Sequence, residues 1–269
     1  MAKDGKYCKP ERREFLVPSV VARKRISPNF VRVTLGGEAL RRFVPMGYDQ
    51  WFRVFLSTAA GVLRLPKRTN GLWVAEYMLM SKDTRPIGRN YTVRQYRAEG
   101  EYGEGPELDV DFVLHEDADG ELGPASAWAR DASPGDELGI FDEGITYRPP
   151  ADTRWRLLVG DESALPAVLG ILGSLTDDLP TEVFVELPHP EDAQPVRSLP
   201  GATVRWLTRE RGVPVGETAL AALRAADLPA GPGYAWTAGA QKLATGVRRH
   251  LVADRGFGKD AVTFTGYWR

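Results

Sequence analysis

A single cysteine, Cys8, stands in a chain of 269 residues, so an intrachain disulfide is excluded and a thiolate metal cluster lacks ligands. Histidine is nearly as scarce. His115, His189 and His250 lie far apart in unrelated contexts, a poor arrangement for a metal site. No apolar run approaches the roughly 20 residues that a membrane-spanning helix needs, so no membrane insertion is expected. Residues 1–13 are charged and lack an apolar centre, so they do not read as a signal peptide, and the cytoplasm is the expected location. Repeats and low-complexity tracts are absent as well. The remaining composition is that of a globular protein, 43% hydrophobic and 26% charged with 28 Gly and 20 Pro. Its length suits one large domain or two smaller ones.

The net charge of −1 hides an asymmetry. Residues 1–98 hold 20 Lys and Arg against 7 Asp and Glu, whereas residues 99–269 hold 15 against 29. A basic first portion predicts contact with an anion. Nucleic acid is the generic candidate, but the cations are dispersed among strand-like segments with no recognition-helix pattern, so no nucleic-acid partner is expected. A small anionic ligand fits better.

Residues 14–25 and 29–35 are rich in Val, Phe and Ile around a Ser-Pro-Asn break and predict paired strands. Residues 50–58 predict a strand with Trp51, Arg53 and Phe55 on one face. Residues 61–70 read as a basic loop, and 108–115 and 136–141 as further strands. Short strands punctuated by Gly and Pro argue for an antiparallel β-barrel. Beyond Pro149-Pro150 the texture changes. Strand-like runs at 155–160, 181–187, 202–207, 234–237 and 262–268 alternate with helical patterns near 165–172, 216–226 and 240–253. That alternation predicts an α/β domain with a parallel sheet. The expected fold is therefore an N-terminal antiparallel β-barrel, residues 1–148, followed by an α/β domain, residues 149–269.

Several stretches carry chemistry-bearing residues. In Arg89-Asn90-Tyr91-Thr92-Val93-Arg94, strand alternation puts Arg89, Tyr91 and Val93 on one face and Asn90, Thr92 and Arg94 on the other. An aromatic flanked by guanidinium groups offers a stacking surface beside anion donors. It equally suits a cross-strand tyrosine between solvated arginines. Gly123-Pro124-Ala125-Ser126-Ala127-Trp128-Ala129 predicts a turn entering a short helix whose free N–H groups face an anion, or an ordinary helix start. Gly160-Asp161-Glu162-Ser163-Ala164-Leu165-Pro166 is a strand-to-helix turn at the first crossover of the α/β domain, where ligands bind in such sheets. It is not a Gly-x-Gly-x-x-Gly loop. Arg209 and Arg211 follow the third α/β strand, placed either to receive a 2′-phosphate or to face solvent.

Arg-x-Tyr-Thr resembles the flavin-binding signature of the ferredoxin reductase superfamily. The longer Arg-x-Tyr-Thr-Val-Arg, together with Gly-Pro-Ala-Ser-x-Trp-Ala, Gly-Asp-Glu-Ser-Ala-Leu-Pro, Trp-Thr-Ala-Gly and the terminal Gly-Tyr-Trp-Arg, is similar to the siderophore-interacting protein family. The resemblance runs from about Phe15 to Arg269 and implies FAD in the barrel and NADPH or NADH in the α/β domain. It assigns Arg89 to the flavin diphosphate, Tyr91 to the isoalloxazine face and Thr92 to its reactive nitrogen, with Arg94 also in contact. Gly123, Pro124, Ala125, Ser126 and Trp128 would cradle the diphosphate, and His115 would lie near the adenine. Gly160, Asp161, Glu162, Ser163 and Gly239 would form the nucleotide turn, with Trp268 close to the flavin. Ala240 stands where the family usually has Glu.

The activity implied is reduction of iron(III) in a ferric siderophore by NAD(P)H through FAD. A cationic surface of Arg53, where relatives often carry Lys, with Lys67, Arg68 and Arg130, would meet an anionic chelate. Alternatives are a general flavin reductase working with a partner such as ferredoxin, and a non-catalytic siderophore-binding protein. A monomer is expected.

Overall fold

The computed structural model describes residues 7–58, 61–115 and 120–269. The chain divides into two compact units, Met1–Ile145 and Thr146–Arg269. The first unit holds, in chain order, β1 (Phe15–Leu16), β2 (Ser19–Ser27), β3 (Phe30–Gly36), β4 (Trp51–Leu56), α1 (Trp73–Leu79), β5 (Ile87–Thr92), β6 (Gln95–Arg97), β7 (Glu107–Val113), α2 (Pro124–Asp131) and β8 (Gly139–Gly144). They form two four-stranded antiparallel sheets, ordered β1-β8-β4-β5 and β2-β3-β7-β6.

Two seams close these sheets into a barrel. At one, the chain leaves β5 and enters the other sheet within a residue: the Val93 N–H donates to the Gln50 carbonyl (2.8 Å) and the Arg94 N–H to the Asp109 carbonyl (2.9 Å). At the other, Val20 exchanges backbone bonds with Gly135 and Asp136, and Ser19 bridges Glu137. The interior is filled by Val20, Val33, Leu35, Phe52, Val54, Leu56, Leu108, Val110, Phe112 and Ile140, with Ala125 and Ala129 of α2 closing the gap between sheets. On β4, Phe52, Val54 and Leu56 face this core. Phe55 turns outward into a second aromatic cluster with Trp73 and Phe141.

Residues 14–25 do not form one strand. Pro18 lacks an N–H and interrupts the ladder, so β1 pairs with β8 while β2 starts the other sheet. The last barrel strand also lies further along than residues 136–141 suggest. Residues 135–138 serve the seam with β2, and β8 runs on to Gly144. Gly144 has φ 88°, and a Cβ there would stand 1.9 Å from the Cys8 carbonyl oxygen, so only glycine allows this closure.

The second unit holds β9 (Trp155–Gly160), α3 (Leu165–Ser174), β10 (Thr181–Leu187), β11 (Ala202–Thr208), α4 (Glu217–Ala225), β12 (Gly233–Ala240), α5 (Gln241–Asp254) and β13 (Val262–Trp268). All five strands are parallel, in the order β11-β10-β9-β12-β13. The chain builds outward from β9 in one direction, then returns to add β12 and β13 on the other side. The switch point therefore lies between β9 and β12, beyond their carboxyl ends, where such sheets bind ligands. Leu157, Val159 and Phe184 of the sheet bury one face against Ala219 and Leu223 of α4 and Leu243, Val247 and Leu251 of α5.

Candidate functional site

In the barrel, two motifs some thirty residues apart are joined through a residue that belongs to neither. Tyr91 of β5 lies opposite Phe52. Its ring centroid is 4.2 Å from that of Phe112 on β7, and Phe112 is 5.7 Å from Trp128 on α2. Burial pushes the Tyr91 phenol above its ordinary range, outweighing the opposing pull of Arg89, so it stays protonated at physiological pH. Arg89 is exposed on the same strand. Its guanidinium donates to the Gly88 carbonyl (2.9 Å), and no carboxylate among the described residues pairs with it. Thr92 is buried.

The first turn of α2 is open. Gly123 is its N-cap residue, no side chain caps the turn, and Pro124 has no N–H to satisfy. Ser126 turns its hydroxyl away, donating to the Val113 carbonyl (2.9 Å) and tying the helix to β7. The backbone N–H groups of the first turn are thus left for an outside acceptor. A Cβ built on Gly123 would meet no atom within 4 Å, so the approach is clear. His115 is exposed two residues beyond β7.

Arg94 departs from the expected alternation, because the chain changes sheets at Val93. Its Nε lies 3.6 Å from Asp111, and burial pulls its pKa below the ordinary value despite that carboxylate. It belongs to a cluster of guanidinium and carboxylate groups. Arg32 pairs with both oxygens of Asp111 (2.7 and 2.9 Å), while Arg97 holds Asp109 (2.7 and 3.0 Å) and Glu107 (2.9 Å). All three acids are buried on alternate residues of β7. Their Glu-x-Asp-x-Asp spacing was the available signal. This cluster fastens β3, β6 and β7 together.

Of the four cations expected to form one floor, Arg53, Lys67 and Arg68 lie beside α1, whereas Arg130 sits at the end of α2. Arg53 donates to Glu143 (2.9 Å) and lies over the rings of Trp51 and Trp73, on the β4 face opposite the core. Arg130, at the end of α2, is held by both oxygens of Asp131 (2.8 and 2.7 Å). Lys67 and Arg68 are exposed, and their backbone N–H groups donate to Glu76 of α1 (2.9 and 3.0 Å).

In the α/β unit, Asp161 organises the switch point. Its carboxylate is fully buried, accepting from the Ser163 N–H (2.9 Å) and hydroxyl (2.5 Å) and from the Ala240 N–H (2.6 Å). Burial, reinforced by the charge of Glu162, pushes its pKa up to about 6. Gly239 has φ 124°, and a Cβ there would fall 2.5 Å from this carboxylate, so glycine lets β12 pass against it. Ser163 Oγ in turn accepts from Trp268 Nε1 (3.2 Å). The Gly-Asp-Glu-Ser turn, the Ala-Gly turn and the terminal Gly-Tyr-Trp-Arg therefore meet at one end of the sheet. Where relatives are expected to carry Glu, Ala240 offers only its N–H, and the carboxylate present is that of Asp161.

Arg209 does not stand free to receive a phosphate. It pairs with both oxygens of Glu162 (3.1 and 3.0 Å) and with Glu186 (2.8 Å), whose oxygens also accept from the Gly216 and Ala219 N–H groups (2.8 and 2.9 Å) at the start of α4. Burial pulls its pKa down, but these hydrogen bonds win and hold it above the ordinary value. Glu186 escaped the sequence reading. The signal was an acid near the carboxyl end of a parallel strand, directly after the apolar run Val183-Phe184-Val185. Arg211 is exposed, with no ion pair among the described residues.

Comparison with known proteins agrees with both halves. Residues 19–146 match the family described as siderophore-interacting FAD-binding domain, and residues 153–269 the family described as siderophore-interacting protein. The ferric vibriobactin reductase ViuB of Vibrio cholerae is 31% identical over 258 residues, covering 93% of this chain and 87% of that one. The NADPH-dependent ferric-chelate reductase of Escherichia coli is 28% identical over 254 residues, covering 93% and 91%. Among solved structures, a siderophore utilization protein from T. fusca superposes with a TM-score of 0.77 at 29% identity, covering 96% of this chain and 93% of that one.

Proposed function

The chain belongs to the siderophore-interacting protein family, and from that membership we propose that it is an FAD-dependent ferric-siderophore reductase supplied with electrons by NAD(P)H. The observation that carries the reading is the meeting, through Phe112, of the Tyr91 ring with α2, whose first turn is uncapped. A flavin dinucleotide needs a surface for its ring and donors for its diphosphate. Tyr91, braced from behind by Phe112, suits the first need. Arg89 and the α2 N–H groups beside Gly123 suit the second. When bound, FAD accepts electrons from nicotinamide as a hydride and delivers them singly, which suits a one-electron metal.

The protein's residues bind and position in this scheme; no side chain need act as acid, base or nucleophile. In the α/β unit the nucleotide falls to the turn that Asp161 and Ser163 organise. Arg211, not Arg209, is the cation proposed for a 2′-phosphate, since Arg209 already holds two carboxylates. The printed name of the Escherichia coli relative supports NADPH as donor. Iron(III) prefers hard oxygen ligands far more than iron(II) does, so reduction releases it from the chelate. Attraction of an anionic chelate by Arg53 and Arg130 is proposed to be modest, because Glu143 and Asp131 already compete for them. The reading takes the protein as a cytoplasmic monomer.

The test is iron(II) release from a panel of ferric siderophores by the FAD-loaded protein, with NADPH, NADH or reduced ferredoxin as donor. Release with NADPH supports the proposal. Release with ferredoxin alone would replace the donor, and a protein that takes up no FAD would sink the enzymatic reading.

A further inference from the structure

The segment between β4 and β5 carries an apolar surface that its own fold does not cover. Within α1, Trp73 and Tyr77 lie one turn apart and point inward. Trp73 meets Phe15, Phe55 and Phe141, with ring centroids 5.4–6.0 Å away, and the Tyr77 hydroxyl donates to the Pro86 carbonyl (2.8 Å). That anchoring turns the rest of the helix out. Leu79 is 86% exposed and Met78 62%, and Val74 and the N-cap residue Leu72 are exposed as well. Isolated apolar residues on a surface are ordinary, but a cluster on one short element marks an interaction site.

The surroundings are cationic. Residues 61–86 carry Arg64, Lys67, Arg68, Lys82 and Arg85 against Glu76 and Asp83, a net charge of +3. Glu76 accepts from the Lys67 and Arg68 N–H groups, and Arg64, Lys67, Arg68 and Lys82 are all exposed. This face lies on the outer side of β4, with Arg53 and Phe55, away from the core side on which Tyr91 packs. It shares no residue with the proposed flavin contacts.

We propose that α1 and its flanking loops dock the protein onto an anionic phospholipid surface, with Leu72, Val74, Met78 and Leu79 entering the headgroup layer and the surrounding cations pairing with lipid phosphates. Size and composition favour a bilayer over a protein. A seven-residue helix is about 10 Å long, too short to furnish the roughly 800 Å² that a stable interface needs from each partner. Protein interfaces are also enriched in aromatics and poor in Lys, whereas the exposed residues of this patch are not aromatic and Lys67 and Lys82 stand among its cations, as at an interfacial anchor. One such element gives reversible attachment. It does not cross the bilayer.

Co-sedimentation of the FAD-loaded full chain with vesicles tests this, using phosphatidylcholine alone and an equal mixture with phosphatidylglycerol. Binding is expected to the mixed vesicles, about tenfold or more above that to the neutral ones, and to weaken as salt rises toward a Debye length of about 3 Å at 1 M. Met78→Ser with Leu79→Ser, and separately Arg64→Glu with Lys82→Glu, should each lower partitioning about tenfold while retaining FAD. Retained FAD shows that the barrel is folded. Equal or absent binding to the two vesicle types overturns the proposal. So does unchanged binding of both variants, or concentration-dependent self-association of the wild type that Leu79→Ser abolishes, which would make a second copy the occupant.

Discussion

Arg209→Ala is expected to unsettle the α/β unit far more than it changes coenzyme choice. Arg209 neutralises Glu162 and Glu186, whose side chains are 2% and 0% exposed. Deleting one partner of a buried pair costs about 3–5 kcal/mol, because the other charge stays buried without compensation. The two acids are not equally placed. Glu186 keeps two N–H donors from the start of α4, at 2.8 and 2.9 Å. Glu162 loses both of its bonds to Arg209 and remains beside Asp161, so most of the cost falls there. The sign with pH follows. In the variant, Glu162 faces Asp161 without a compensating cation, and Asp161, raised by burial to about 6, carries its charge above that pH and loses it below. The deficit should therefore be largest at pH 8 and shrink as pH falls. Denaturant unfolding with amide exchange in β9 and β10 reads this directly. Arg209→Ala with Glu162→Gln should recover much of the loss, since the stranded charge is gone. A cost below about 1 kcal/mol, or an equal cost at pH 5 and 8, would refute the buried-triad account.

Arg89→Ala should lose FAD during purification, and Tyr91→Ala should weaken flavin binding about tenfold or more, since stacking and charge contacts each reach about 1–3 kcal/mol. Full flavin occupancy in both, read from absorbance, would remove the assignment. Arg211→Glu should raise the KM for NADPH well above its effect on NADH, and parallel changes would exclude a 2′-phosphate contact. Asp161 and, in the barrel, Asp142 are each raised to about 6 by burial. Their folded forms therefore hold a proton that the unfolded chain has released between about pH 4 and 6. Each unit should gain up to about 1.4 kcal/mol, as an upper figure, on acidification from pH 7 to 5, since pH 5 lies one unit below the raised pKa. Asp142→Asn should flatten that rise in the barrel, and monotonic loss of stability from pH 7 to 5 in unfolding curves would contradict it.

Much of the α/β unit was legible because its strands are buried runs and its helices carry one apolar stripe. The four-residue spacing of Leu243, Val247 and Leu251 is enough to mark α5 as a helix with one buried side. The barrel was harder where burial and polarity disagree. β8 contains Asp142 and Glu143, which lie beyond the run at 136–141 that reads as a strand. They are acceptable in a buried strand only because Gln50 donates to Asp142 (2.7 Å) and Arg13 and Arg53 pair with Glu143, partners about ninety or more residues away. Helix α1 was missed for the opposite reason. Its sequence is apolar on nearly every side, so no stripe marks the inward pair Trp73 and Tyr77. The motif residues themselves were readable, but what their side chains do was not. Alternation failed for Arg94 because the sheet changes at Val93, and nothing local in Arg209-Glu210-Arg211 distinguishes the arginine held by two carboxylates from the one in solvent.

The charge asymmetry shows how a sound observation can lead to the wrong level of explanation. Divided at residue 98, the chain looks like a basic half beside an acidic half. Divided where it folds, at residue 145, the first unit holds 21 cations against 22 acids and the second 14 against 14. The cut at 98 fell between strands that pair. It separated Arg32, Arg94 and Arg97 from Glu107, Asp109 and Asp111, which neutralise them inside the barrel. A field generated by whole-domain charge is therefore not what brings an anion here. The attraction must be local, from groups with no carboxylate partner among the described residues: Arg89 beside the uncapped turn of α2, Arg211 near the end of β11, and the exposed cations around α1. Each is a few charges, effective over roughly one Debye length of about 8 Å at physiological salt. Binding at all three should thus depend on contact geometry as much as on charge, so a lysine in place of Arg89 should preserve the attraction while losing the bidentate hold on a diphosphate.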